Sequence, residues 1–376
     1  MNQKEIAEIR RRFQPDKNAI ANLRGCYVNE KREIVSAFDR PLMSLPQEEA
    51  EKYLAFFRRA LTGLPGKNLL TLTFRPDQVM DGEEHALLTA LRNTELKVDE
   101  GVERLYRRII DSLNMDSNYL ILLAHDAYDI PYRGRDGLKV DDASEEVFHY
   151  FVCCICPVKL TKPALSYDAS DNEFHDRELD WVVTAPQLGF MFPTFDDRAA
   201  NIYDVLWFSR DTEDVHGELI DALFNLDSPM PAQVQKETFQ QIIEDAVGEE
   251  LSFDVAESVH EGMCELIEAQ KQDKELPAPV VTKADVKRVL QEAGVPQERV
   301  DAFDEQFDQE FGVNTDLGAQ NIVEPKKFEV RTPDVVITVN PERSDLVTTR
   351  VIDGMKYILI EANDAVQVNG IGVHIS

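Results

Sequence analysis

Apolar side chains recur at two spacings along this chain, and the switches between them mark its elements. Ile6, Ile9 and Phe13 form one stripe of a helix that Pro15 ends. "GCYVNEKREIVSAF", from Gly25 to Phe38, carries two apolar runs around the polar stretch Asn29 to Arg32 and predicts a β-hairpin. "PQEEAEKYLAFFRRAL" returns to the helical period with Pro46 near its start, "NLLTLTF" predicts a strand, and residues 76–92 and 98–113 predict two more helices. Strand-like runs then dominate: "NYLILLAHDAY", "VFHYFVCCICPVKL", "LDWVVTAPQLGFMF" and "NIYDVLWFS". Regular alternation of strand and helix is missing, so residues 1–214 are expected to form an α+β domain around a mixed or antiparallel sheet.

From Val215 to about Lys274 the period is helical again. Asp254 and Glu257 have capping-box spacing ahead of the stripe Val255, Val259, Met263 and Leu266. Residues 215–274 are therefore expected to be a helical segment packing on the first domain. The charged and then Pro-rich run around residues 275–281 predicts a linker. Residues 282–312 predict a helical pair, in which Thr282 caps the first helix, Gly294 closes it and Pro296 opens the second. Short strands with turn signals at Asp353-Gly354 and Asn369-Gly370 predict a small antiparallel β-meander over residues 321–376.

Charge narrows the classes of partner. The net charge is −30, yet residues 1–60 carry twelve Lys and Arg against nine Asp and Glu. The acidic bulk repels nucleic acid and anionic membrane, since phosphate neutralisation supplies most nucleic-acid affinity. That leaves a basic N-terminal group, Arg10, Arg11, Arg12, Lys17, Arg24, Lys31 and Arg32, as the one place for such contact, diluted by Glu5, Glu8, Glu30 and Glu33. No apolar run reaches the roughly 18 to 20 residues that cross a bilayer. The charged start "MNQKEIAEIRRRF" has no secretory h-region, and five cysteines, three of them in "CCIC", do not form a spaced disulfide framework. A cytoplasmic chain with reduced thiols is the expectation, with neither membrane contact nor a cofactor.

Several groups invite a chemical reading. In "LLAHDAYDIPYRGRDG", His125, Asp126 and Asp129 have the side chains of a metal or acid/base set. Strand alternation, however, puts His125 and Asp129 on one face and Asp126 on the other. "YDASDNEFHDRELDW" gathers Asp168, Asp171, Glu173, His175, Asp176 and Asp180, oxygen-rich but without the ligand order of an EF-hand loop. The hydrolase alternative therefore requires His125, Asp126, Asp129, His175 and Asp176 to converge. Cys153, Cys154 and Cys156 lack the paired spacing of a zinc site and read as buried strand thiols. "TGLPGKN" has the wrong spacing for a phosphate loop, and Pro76-Asp77 with Glu95-Leu96-Lys97 falls on and between helices, where a nuclease signature needs strands. The second helix of the 282–312 pair is too acidic to enter a DNA groove. Its stripe Val300, Phe303, Phe307 and Phe311 is expected either in the core or as a docking face for another chain.

Segments such as "EIAEIRRRF", "NYLILLAHDAYDIPYR", "CPVKLTKPALSY", "DWVVTAPQLGFMFPTFDDRAANIY" and "VNPERSDLVTTRVIDGMKYILI" resemble a family of uncharacterised bacterial proteins bearing a domain-of-unknown-function label. The resemblance spans nearly the whole chain and implies no activity, cofactor or catalytic residue. In layout the chain is also similar to the acidic nucleoid-associated proteins of bacteria, an analogy of architecture alone. The expectation is an interaction protein without catalytic activity, binding a protein partner or a second copy, or acting near the nucleoid.

Overall fold

The computed structural model describes residues 1–133, 139–140, 147–176, 179–272, 279–313, 315–362, 366–368 and 370–373. They form an α+β fold in two compact units, Met1–Pro231 and Ala232–Ser376.

In the first unit, α1 (Gln3–Arg10) leads into the hairpin β1 (Asn22–Val28) and β2 (Ile34–Pro41), then α2 (Gln47–Ala60) and β3 (Leu69–Thr73). The helices α3 (Pro76–Asp81), α4 (Glu83–Asn93) and α5 (Asp99–Ser112) precede the long strand β4 (Tyr119–Asp129). After the short pair β5 (Tyr132–Arg133) and β6 (Lys139–Val140) comes β7 (Val147–Leu160), followed by the hairpin β8 (Leu165–Asp168) and β9 (Glu173–Asp176). Next come β10 (Trp181–Val183), β11 (Leu188–Phe192), the pair β12 (Thr194–Asp196) and β13 (Ala199–Asn201), β14 (Asp204–Ser209) and α6 (Gly217–Phe224). The main sheet runs β2-β1-β4-β7-β11-β14-β3, with β10 added on β7. Each described pairing in it is antiparallel.

Helices cover both faces of this sheet, which is why its central strands read as unbroken apolar runs. Leu120, Leu122 and Ala124 of β4 join Tyr150, Val152 and Cys154 of β7 in packing against Ile6, Ile9, Leu54 and Phe57 of α1 and α2. The alternate residues, Ile121, Leu123, Phe151, Cys153 and Ile155, meet Leu88, Leu91, Leu105, Ile109 and Leu223 of α4, α5 and α6. Each Leu, Ile, Val or Phe among them contributes roughly 1.5–3 kcal/mol on full burial. The single helix expected over residues 76–92 is two, because the chain is extended at Gly82. A Cβ there would lie 2.3 Å from the Gln78 carbonyl oxygen, so the turn between α3 and α4 requires glycine.

In the second unit, α7 (Ala232–Val247), α8 (Phe253–Gln272), α9 (Lys283–Glu292) and α10 (Gln297–Phe311) share one core. It also takes in the small strands β15 (Val280–Val281) and β16 (Leu317–Gly318) and the short α11 (Ala319–Ile322). The hairpins β17 (Phe328–Arg331) with β18 (Val336–Val339), β19 (Val347–Ile352) with β20 (Met355–Ile360), and β21 (Val366–Val368) with β22 (Ile371–Val373) complete it.

Five expectations change here. The helical segment 215–274 is divided: α6 completes the core of the first unit, whereas α7 and α8 build that of the second. The linker at 275–281 lies partly outside the described residues, and its end, Val280–Val281, pairs with Leu317–Gly318; the helical pair at 282–312 shares its core with α7 and α8. Ser252 rather than Asp254 caps α8, its Oγ accepting from the Val255 N–H at 3.2 Å, because the helix starts at Phe253. The strands of 321–376 are antiparallel, but the described ones pair as separate two-stranded hairpins, not one meander.

Candidate functional site

The structure separates the residues that the sequence suggested as a catalytic set. Asp126 is buried on the face of β4 that meets α1. Its carboxylate accepts from Arg12 Nε at 3.0 Å and Nη2 at 3.2 Å, from the Ala19 N–H at 2.6 Å and from the Tyr150 hydroxyl at 2.8 Å. The three bonds from Arg12 and Ala19 clamp the segment after α1 onto the sheet, and the one from Tyr150 ties β7 to β4. His125 faces the opposite side, its ring stacked on His149 with centroids 5.4 Å apart. Burial, opposed by the nearby Glu95 carboxylate, pushes its pKa down to about 4, so the imidazole is neutral at ordinary pH. Asp129 is exposed at the end of β4.

His175 and Asp176 lie on the exposed strand β9. His175 Nε2 stands 2.5 Å from Asp171 Oδ2, and with Glu173 these two make the one group of three potential metal ligands found among the described residues. His125, Asp126, Asp129 and Asp176 are not part of it. The Asp168 side chain lies outside the described residues.

Much of the basic N-terminal group is engaged within the protein. Arg12 is tied to Asp126, and Arg24 is paired with Asp39 at 3.1 Å and Asp99 at 2.6 Å. Arg32 donates to the Asp111 carbonyl at 3.2 Å and to Asn114 Oδ1 at 3.4 Å. Arg11, Lys17 and Lys31 are exposed, and Arg10 is half-buried. On α10, Val300, Phe303 and Phe307 are fully buried and Phe311 packs against them. That stripe is core, which corrects its reading as a docking face.

A site does emerge where the sheet edge overhangs α5. Cys26 and Arg24 of β1, with Ala37 and Asp39 opposite them on β2, face Asp99, Val102, Glu103, Tyr106 and Arg107 of α5 across a cavity of about 420 Å³. Beyond the ion-paired Arg24 and Asp39, which line both, lies a smaller recess of about 110 Å³ bounded by Glu95, Leu96, Lys97 and His125. Two of the lining residues carry a polar atom that is sealed from solvent and has no protein partner, the Tyr106 hydroxyl and His125 Nε2. Burial raises the Cys26 pKa to about 11, so this thiol is protonated and no nucleophile. Glu95 and Leu96 both adopt left-handed backbone, at φ 53° and 61°. The buried Leu96 side chain offsets a conformation that L-residues disfavour.

Residues 1–371 match the model of a family described as a domain of unknown function, DUF4317. The chain belongs to the DUF4317 family. No curated protein matches it. The groove of this DUF4317 chain uses residues that the sequence did not single out, Tyr106, Arg107, Asp39 and Asp99. Glu95-Leu96-Lys97 stood out in the sequence only as an imperfect nuclease signature; in the structure it forms a strained wall. Nothing in the composition of α5 distinguishes Tyr106 from an ordinary core tyrosine, because its significance lies in what its hydroxyl fails to meet.

Proposed function

We propose that this DUF4317 chain is an interaction protein without catalytic activity, engaging a protein partner through the C-terminal hairpins of its second unit. The observation that carries this reading is the apolar surface of β19 and β20. Register puts Val351 and Ile360 on one face of that hairpin and Ile352, Met355 and Tyr357 on the other, all exposed, Val351 at 69%. Ile371 of β22 is 70% exposed. A lone two-stranded hairpin is marginal in water, and apolar residues on both its faces favour a surface that covers them. A cytoplasmic setting fits the free thiols of Cys26, Cys153, Cys154 and Cys156, all buried. Contact with nucleic acid is the weaker reading, since Arg12 and Arg24 already serve internal carboxylates.

The test is a pull-down from native lysate with the tagged full chain and its Val351→Asp/Ile360→Asp variant, each with and without nuclease. Proteins retained by the wild type, lost by the variant and indifferent to nuclease are expected. Identical retention by both chains, or retention that nuclease abolishes, would remove the reading.

A further inference from the structure

We propose that the hairpin of β8 and β9 is a docking face for a cationic segment of a partner protein, one that presents apolar side chains between lysines or arginines. This surface belongs to the first unit and is independent of the β19–β20 reading. Register and strand alternation put Leu165, Tyr167 and Phe174 on one face of the hairpin, with Asp176 opposite Leu165, and Ser166, Glu173 and His175 on the other. The three apolar side chains are 72%, 53% and 68% exposed, and none joins a core. The Tyr167 and Phe174 rings pack together with centroids 5.4 Å apart, a preassembled aromatic pair of the kind that anchors interfaces. Seven of the fifteen large apolar side chains exposed among the described residues of the first unit fall within residues 160–182. Single exposed apolar residues need no explanation, but a concentration of this kind marks an interaction surface.

Charge names the occupant. Residues 165–176 include Asp168, Asp171, Glu173 and Asp176 and no lysine or arginine. Asp171 meets the His175 imidazole, while Glu173 and Asp176 stand exposed on β9. The same hairpin of a second copy would set like charges against one another, and this field repels anionic lipid and nucleic acid as well. An apolar segment flanked by cations satisfies both features of the hairpin. Its apolar side chains cover Leu165, Tyr167 and Phe174, and its charges meet the carboxylates at the rim, where they steer the approach and fix the register.

Fluorescence anisotropy on the full chain tests this, with a labelled peptide of alternating leucine and lysine as the probe and its serine–lysine and leucine–glutamate counterparts as controls. The leucine–lysine peptide should bind with a micromolar Kd, and each control about tenfold more weakly. Leu165→Ser/Phe174→Ser, which leaves the charge unchanged, should weaken binding about tenfold, and Glu173→Gln/Asp176→Asn about threefold. All four positions are exposed, so both variants should melt where the wild type does. Should the first variant fail to fold, the second variant and the control peptides decide. No binding of the leucine–lysine peptide at about 100 µM, a change below about threefold in the first variant, or either control binding within about threefold of the probe overturns the proposal. Sedimentation and vesicle flotation separate the other occupants. Self-association, or binding to phosphatidylcholine or phosphatidylglycerol vesicles, that Leu165→Ser/Phe174→Ser abolishes would assign the face to a second copy or to lipid and overturn the proposal too.

Discussion

At the scale of single residues, three buried polar groups with different partners make different predictions. Asp126 meets Arg12, Tyr150 and the Ala19 N–H, so removing the guanidinium leaves a buried carboxylate short of its counter-charge. Arg12→Ala should therefore cost on the order of 3 kcal/mol, toward the low end for such pairs because two bonds survive, as measured by urea denaturation. A loss below about 0.5 kcal/mol would show that the clamp is dispensable. Tyr106 points the other way, since its hydroxyl is buried and unbonded. Tyr106→Phe should stabilise the chain by about 1 kcal/mol, and a clear destabilisation would mean the hydroxyl has a partner after all. His125 links stability to pH. Its folded pKa, about 4, lies below the ordinary value of 6.5, so between them the unfolded chain binds the proton and the folded chain does not. Stability is thus full above about pH 6.5 and is lost as the pH falls toward 4, by at most about 1.4 kcal/mol per pH unit. Urea melts at pH 7 and pH 5 should show a smaller loss in His125→Phe than in wild type; equal losses would assign the effect to other groups.

Individual elements were legible to the degree that their pattern was local. The hairpin of β1 and β2, the strands β4, β7 and β14, and the helices α1, α2 and α5 all fall where periodicity put them, because alternation and helical stripes depend on the segment's own burial. Thr282 caps α9 as its position suggested, accepting from the Asp285 N–H while the Asp285 carboxylate accepts from the Thr282 N–H. Thr282→Ala should cost about 1 kcal/mol in a melt of the full chain, and Thr282→Ser much less. If both substitutions cost the same, the hydroxyl bond is not what stabilises the helix end. Asp353 and Gly354, at φ 51° and 81°, form the two-residue turn that their sequence predicted between β19 and β20. Gly82 was illegible: the break it makes depends on an approach to the Gln78 carbonyl that no helical pattern encodes.

For the whole molecule, the decisive fact is where cores close. The two clusters on either face of the main sheet draw their residues from Met1–Pro231, and the third draws its own from Ala232–Ser376. A chain of residues 1–231 is thus expected to fold by itself, since no residue of its cores is removed. Cooperative urea unfolding with native-like near-ultraviolet dichroism would support this, and an aggregated or non-cooperative fragment would refute it. No helix among the described residues is long and apolar enough to cross a membrane, in keeping with the mixed polarity of even the 20-residue α8.

By itself, the sequence determined the α+β class, most elements of the first unit, the turn at Asp353-Gly354, the burial of the "CCIC" thiols and the opposition of His125 to Asp126. These follow from one-dimensional periods that any strand or helix must obey. Tertiary structure alone decided that α6 and α7 belong to different cores, that the Phe303 and Phe307 stripe turns inward, and that the groove beneath β2 is lined from residues as far apart as Arg24 and Tyr106. The physical reason is common to all three. Which surfaces meet, and which buried atoms are left without a partner, depends on contacts distant in sequence, and no local spacing records them.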